Sequence, residues 1–227
     1  MNELEKLQQR RSELYGKPKS EEEIEEYMSL ISKIEAEYAK ETVGLLNELK
    51  YVGVDVSSVW DLVNTKKSYP QAIDILIDHL NKDYHEKNIE GIIRALSVKE
   101  AKGKAATLIK KYEETPKIKD NLRWIIGNAI AVVMTLNDVD WIYRTVLDKS
   151  NGGSRSQLVY ALGTVKTEKS EDILISLLDD EEVAPQAIAA LGRLKSKKAK
   201  DKIVILNQSK NSLIRLESKK ALKKIGD

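Results

Sequence analysis

Apolar residues between Ser154 and Leu194 recur at helical spacing in two near-copies of one motif. QLVYALGTV (157–165) and QAIAALGRL (186–194) share a pattern, and their Ala-Leu-Gly cores begin 29 residues apart, at Ala161 and Ala190. Between them EDILISLLDD predicts a second amphipathic helix. One period is thus two helices and two turns. Neither helix can bury its apolar stripe alone, so the copies must stack. The pattern continues outward. RWIIGNAIAVV puts Ala129 and Ile130 in the core slots, EGIIRALSV puts Ala95 and Leu96 there, and RLESKKALKKI puts Ala221 and Leu222 there. A small side chain at the first slot admits a neighbouring helix, and the large aliphatic after it fills the core. Six residues before the alanine, three copies carry arginine (Arg123, Arg155 and Arg215), while the others carry Ile89 and Ala184.

The rest of the chain also reads as helix. A short helix is expected from residue 2 to 15, closed by Gly16 and Pro18. Ser20 with Glu23 predicts a capping box, opening a long helix to about Lys50. Its stripe is Ile24, Tyr27, Ile31, Ile34, Tyr38 and Leu45, interrupted by Glu41. That stripe serves as an intramolecular cap on the first repeat or as a dimerising seam, and the cap is the preferred reading. Asp55 or Ser57 is expected to cap the helix of VSSVWDLVN. Pro70 opens QAIDILIDHL, and Ser97 with Glu100 opens KEAKGKAATLIKKYEE. Asn137 to Asp140 caps the helix that carries Trp141. Asn151-Gly152-Gly153 reads as the most flexible link, ending at Ser154 as a cap. In all, about thirteen helices and no strand are expected. They divide into a helical cap over residues 1–50 and a repeat array over residues 51–227.

On these residues the chain resembles the short HEAT-like repeats of bacterial α-solenoids, a variety also seen in phycobilisome lyases. That repeat pairs a Val-Arg start and an Ala-Leu-Gly helix with a helix ending in Leu-Leu, and Arg155 to Leu178 fits it best. The copy at Ala184-Pro185 lacks the arginine, and the copy at Ala95 lacks both arginine and glycine. The resemblance implies an all-α, right-handed α-solenoid of about five HEAT-like helix pairs with an N-terminal helical cap. It implies a binding surface lined by the second helix of each repeat, usually the concave face, and a bacterial or phage setting. It is specific for architecture and says little about function.

Composition adjusts this picture. Of 227 residues, 41% are hydrophobic and 33% charged, which suits a core inside a well-solvated surface. With no phenylalanine and three tryptophans, the core is aliphatic. Absence of cysteine excludes disulfides and thiolate metal sites. The opening MNELEKLQQRR has no apolar run, so no signal peptide is expected. No apolar run in the sequence approaches the length of a membrane span, so no membrane association and a cytoplasmic location are expected. Net charge is +2 but uneven. Residues 20–48 hold nine acidic and two basic side chains (−7), and residues 193–227 hold twelve basic and three acidic (+9). The basic end reads as a solvated lysine-rich cap or as an attraction for an acidic partner.

Candidate chemistry is sparse. His79 and His85 lie six apart, on different sides of a helix and across a turn, so no metal site is expected. No phosphate loop, dinucleotide fingerprint or nucleophile elbow is present, so neither cofactor nor catalysis is expected. The arginines are the strongest polar signal. Each either ties its own helix start to an acidic or carbonyl group nearby, or joins a positive stripe for acidic side chains or phosphate. Trp124 follows Arg123, so the two point to different sides. The candidate partner-binding residues are Arg123, Trp124, Trp141, Arg144 and Arg155. The expected function is a non-enzymatic scaffold that binds another protein, one with an acidic surface, in an adaptor, inhibitor or immunity role. The alternative is a nucleic-acid-binding protein related to alkylpurine DNA glycosylases, which are also HEAT-like. That alternative is disfavoured by the low net charge.

Overall fold

The computed structural model describes residues 3–16 and 19–226; the expected stop at Pro18 lies outside these. The described residues form thirteen α-helices and no strand, so the fold is an all-α, solenoid-type array of helix pairs. None of these helices is long and apolar enough to cross a membrane. The chain packs as two compact units, the first ending at Ala95 and the second starting at Leu96.

The first unit holds α1 (Glu3–Leu14), α2 (Glu21–Tyr51), α3 (Val59–Asn64), α4 (Ile73–Leu80) and α5 (Glu86–Ala95). Ser20 and Glu23 form the expected capping box on α2. The buried face of α2 is Leu30, Ile34, Tyr38, Thr42, Leu45 and Leu49, packed against α1, α4 and α5. The stripe therefore starts later than expected, because Ile24 is half exposed. Glu41, which breaks the stripe, has a docking role: its carboxylate accepts from the His85 backbone N–H (2.9 Å) and from Asn88 Nδ2 (2.8 Å) at the start of α5. Asn88 Nδ2 also donates to the Tyr38 carbonyl. Ser58 caps α3, one position beyond the expected Ser57, because Asp61 is its third helical residue and closes the box. His79 is buried, with Nδ1 at Tyr84 Oη and Nε2 beside Glu48 and Lys82. Its hydrogen bond holds the Glu48 carboxyl below the usual range.

The second unit holds α6 (Ala105–Glu114), α7 (Asp120–Val133), α8 (Val139–Leu147), α9 (Ser156–Leu162), α10 (Glu168–Ser176), α11 (Ala184–Leu194), α12 (Lys200–Leu206) and α13 (Ser212–Ile225). The helices α7, α9, α11 and α13 pack in succession as one layer; α6, α8, α10 and α12 form the other. All five repeat alanines are buried, and Leu96, Ile130, Leu162 and Leu191 beside them are fully so. Gly163 lies against Ala190, and Gly192 against Ala221, so closely that a methyl group on either glycine would fall within 3 Å of the facing Cα. Small residues thus draw the first helices together, whereas α8 and α10 meet only weakly. A stack that is tighter on one layer bends toward it. In this unit the first helices therefore line the inner side, and the expected concave face of second helices is corrected.

Three local expectations change for backbone reasons. Ser97 and Glu100 do not open a continuous helix. Residues 99–101 make a 3-10 turn, then Gly103 adopts φ +87° and donates its N–H to the Val133 carbonyl before α6 begins. The box before α8 is built by Thr135 with Asp138 rather than by Asn137. The Asn-Gly-Gly link is an ordered turn over residues 149–155 whose Asn151 and Ser154 are buried, and Ser154 does not cap α9.

Candidate functional site

The arginine slot opens each first helix, next to the carbonyl end of the helix before it. The last carbonyls of a helix lack internal partners and carry its negative dipole end, which is where a guanidinium fork fits. Arg123 Nη1 donates to the carbonyls of Tyr112 (3.2 Å) and Thr115 (2.9 Å), at the end of α6. Arg155 Nη1 donates to Val146 (2.9 Å) at the end of α8, and its Nε to Gly152 (2.9 Å). Arg215 departs from this, its Nη1 donating to the carbonyls of Ser209 and Lys210 in the loop after α12. The remaining nitrogen reaches the next turn of the stack. Arg155 Nη2 meets Asp180 (2.8 Å) and Glu182 (3.2 Å), and Arg123 Nη2 meets Asn151 Oδ1 (2.7 Å).

Arg155 is 0% exposed and Arg123 is 4% exposed. The expectation that they form a positive stripe offered to a partner is therefore corrected. A buried fork held by several acceptors is part of the frame, and the alternative reading, a structural tie, describes both. Trp124 is half-buried on α7 and donates from Nε1 to Ser156 Oγ (3.0 Å). It is a tie between α7 and α9, apart from the group described next.

Trp141, Arg144 and Arg123 do come together. A cleft of about 300 Å³ lies between α6 and α8, lined by these three and by Tyr112, Glu113 and Lys117 on one side and Thr145, Asp148 and Asn151 on the other. Trp141 is half-buried, edge-on to the Tyr112 ring (5.4 Å, 89°), and donates from Nε1 to Glu113 (2.8 Å). The Arg123 guanidinium lies 4.0 Å from the centre of the same Tyr112 ring. Asn151 ties the floor together, accepting from Arg123 and donating to the Thr145 carbonyl (3.0 Å). At the rim, Asp148 accepts from the hydroxyl and backbone N–H of Ser150 and faces Lys117 at 3.4 Å. The Ser150 hydroxyl, then its N–H, hold the Asp148 carboxyl below the usual carboxylate range. Arg144 is exposed, and its guanidinium has no partner among the described residues.

The cleft therefore has a rigid aromatic wall and a fixed polar floor, and the Arg144 guanidinium is free among the described residues. Rigid aromatics and arginines of this kind are the side chains that anchor protein interfaces. A second groove of about 430 Å³ lies on the inner layer between Tyr160, Gln186, Leu213 and Lys224. Sequence reasoning missed Tyr112 and Asn151. The available signal was spacing: Asn151 lies 28 residues after Arg123, close to the 25 between Arg155 and Asp180.

No curated protein matches the chain. Residues 139–223 match the family HEAT repeats, a stretch that runs from α8 into α13. Over that stretch the stacked pairs, the Ala-Leu-Gly helices and the arginine rung at Arg155 make the chain similar to HEAT repeats.

Proposed function

We propose that the protein is a non-enzymatic, cytoplasmic scaffold that binds another protein through the cleft between α6 and α8. HEAT repeats generally mediate protein–protein interaction or scaffolding. The observation that carries this reading is the pairing of a half-buried, immobilised Trp141 with an Arg144 that has no partner among the described residues, on one rigid cleft. Trp and Arg are over-represented among residues that dominate binding energy, and both here are held or placed by buried neighbours. The chemistry is presentation of a preformed surface, so little ordering is needed on binding. No bond is made or broken.

The test begins with capture of the partner from the native host and measurement of its affinity by calorimetry. Trp141→Ala and Arg144→Ala are each expected to weaken binding by about tenfold or more, near 1.4 kcal/mol. Arg215→Ala serves as a control, being exposed and distant in sequence from the cleft. Unchanged affinity in both cleft variants would contradict the proposal. So would release of methylated base from alkylated DNA by the wild-type protein, which would favour the glycosylase-related alternative.

A further inference from the structure

Arg123 and Arg155 occupy the same slot in successive repeats, but their charges are balanced differently. Arg155 meets two carboxylates, Asp180 and Glu182. At the matching turn Arg123 meets the neutral amide of Asn151. Its other acceptors are two backbone carbonyls, and its Nε is buried with no acceptor at all among the described residues. A guanidinium stays charged at any physiological pH, and removing it from water is costly without a countercharge. A permanent cation therefore sits 4% exposed under a cleft of about 300 Å³. The guanidinium of Arg144 lines the same cleft.

We propose that this cleft receives an acidic side chain, an Asp or Glu on a peptide segment of the protein partner, whose carboxylate supplies the missing countercharge. The inference rests on the protein-binding reading and names what that site recognises. Arg144 makes the direct contact, since its planar fork matches a carboxylate in bidentate fashion. The ligand's methylene groups lie against Trp141. Arg123 acts from beneath through its field, which is screened little because the charge is out of water. The two carboxylates of the cleft are already engaged, Glu113 by the Trp141 indole and Asp148 by Ser150 and Lys117. They also set the choice of anion. Three cationic and two anionic side chains leave one net positive charge among the lining residues. That balance suits a single carboxylate, whereas the row of charges on a nucleic-acid backbone would meet Glu113 and Asp148 at the rim.

The chain has three tryptophans, so its indole N–H signals in a ¹H–¹⁵N spectrum are few, and Trp141 is assigned by its loss in Trp141→Phe. The probe is N-acetyl-glutamate amide, titrated at constant ionic strength. The Trp141 signal is expected to move saturably while that of Trp60 stays in place. Arg144→Gln is expected to weaken the apparent affinity about tenfold. Arg144 is exposed, so this variant keeps its fold, checked by circular dichroism. Asn151→Asp, which gives Arg123 the carboxylate that Arg155 already has, is expected to weaken it as well. Absence of a saturable shift, or equal binding by Arg144→Gln, overturns the proposal. Tighter binding of inorganic phosphate than of the carboxylate overturns it too, in favour of a phosphate ligand. If the captured partner still depends on Trp141 while the carboxylate leaves the indole unmoved, the scaffold reading survives and this inference alone falls.

Discussion

Arg155→Ala is expected to destabilise the protein by about 3–5 kcal/mol, read from urea denaturation. The side chain is fully buried and holds four acceptors at once, the carbonyls of Gly152 and Val146 and the carboxylates of Asp180 and Glu182. Its removal has three costs. Asp180, itself buried, is left as an uncompensated charge. The Val146 carbonyl at the end of α8 loses its cap. A guanidinium-sized void opens between repeats. A second variant separates these terms. Arg155→Ala with Asp180→Ala removes the stranded charge and is expected to recover part of the loss, a non-additive result expected for groups in contact. Arg215→Ala, in the same slot but exposed, is expected to change stability by less than about 1 kcal/mol. Equal effects at Arg155 and Arg215 would show that burial of the rung is unimportant.

Gly192→Ala is expected to cost about 1–3 kcal/mol, by thermal melting or denaturant. At an ordinary helical position the substitution stabilises, by roughly 0.5–1 kcal/mol, because alanine has less backbone freedom to lose. Here the sign reverses for a spatial reason. A Cβ on Gly192 would lie 2.7 Å from Ala221 Cα and 2.8 Å from its Cβ, so α11 and α13 must separate. Backbone atoms cannot step aside as the end of a flexible side chain does. Gly163→Ala meets Ala190 in the same way, at 2.8 Å from its Cα. Ala190→Leu overpacks the same contact from the other side, Ala190 being fully buried. A Gly192→Ala protein as stable as wild type would contradict the close packing of the first-helix layer.

Much of the architecture was legible because it repeats. The Ala and Leu slots recur five times, and each recurrence supports the others, so the helix pairs and their buried stripe could be read from spacing alone. Element starts were less legible. Ser57, Ser97 and Ser154 all look like caps, yet the actual starts depend on Asp61, on the positive φ of Gly103 and on the burial of Asn151. The Ser58–Asp61 box is a local signal one position along from the serine chosen, whereas the Gly103 turn and the burial of Asn151 are set by backbone geometry and by contacts distant in sequence, which a local pattern does not carry. The candidate site was half legible. Trp141, Arg144 and Arg123 were marked by type, and they line one cleft. Arg155 was marked for the same reason as Arg123, but side-chain type does not report burial. What distinguishes Arg144 is that it stands outside the repeat slot, on α8, where no neighbouring carbonyl end claims it. The role of Asn151 was hidden because its Asn-Gly-Gly setting reads as a loose turn, whereas Arg123 and Thr145 fix it from both sides.

The central claim is that binding occurs on the outer α6–α8 cleft of the second unit and not on its inner layer. Hydrogen–deuterium exchange with and without the captured partner tests it directly. The predicted result is added protection confined to residues 112–119 and 139–151, which carry Glu113, Lys117, Trp141, Arg144 and Asp148. Protection confined instead to α9, α11 and α13, around Tyr160, Gln186 and Lys224, would contradict it and place the partner in the inner groove.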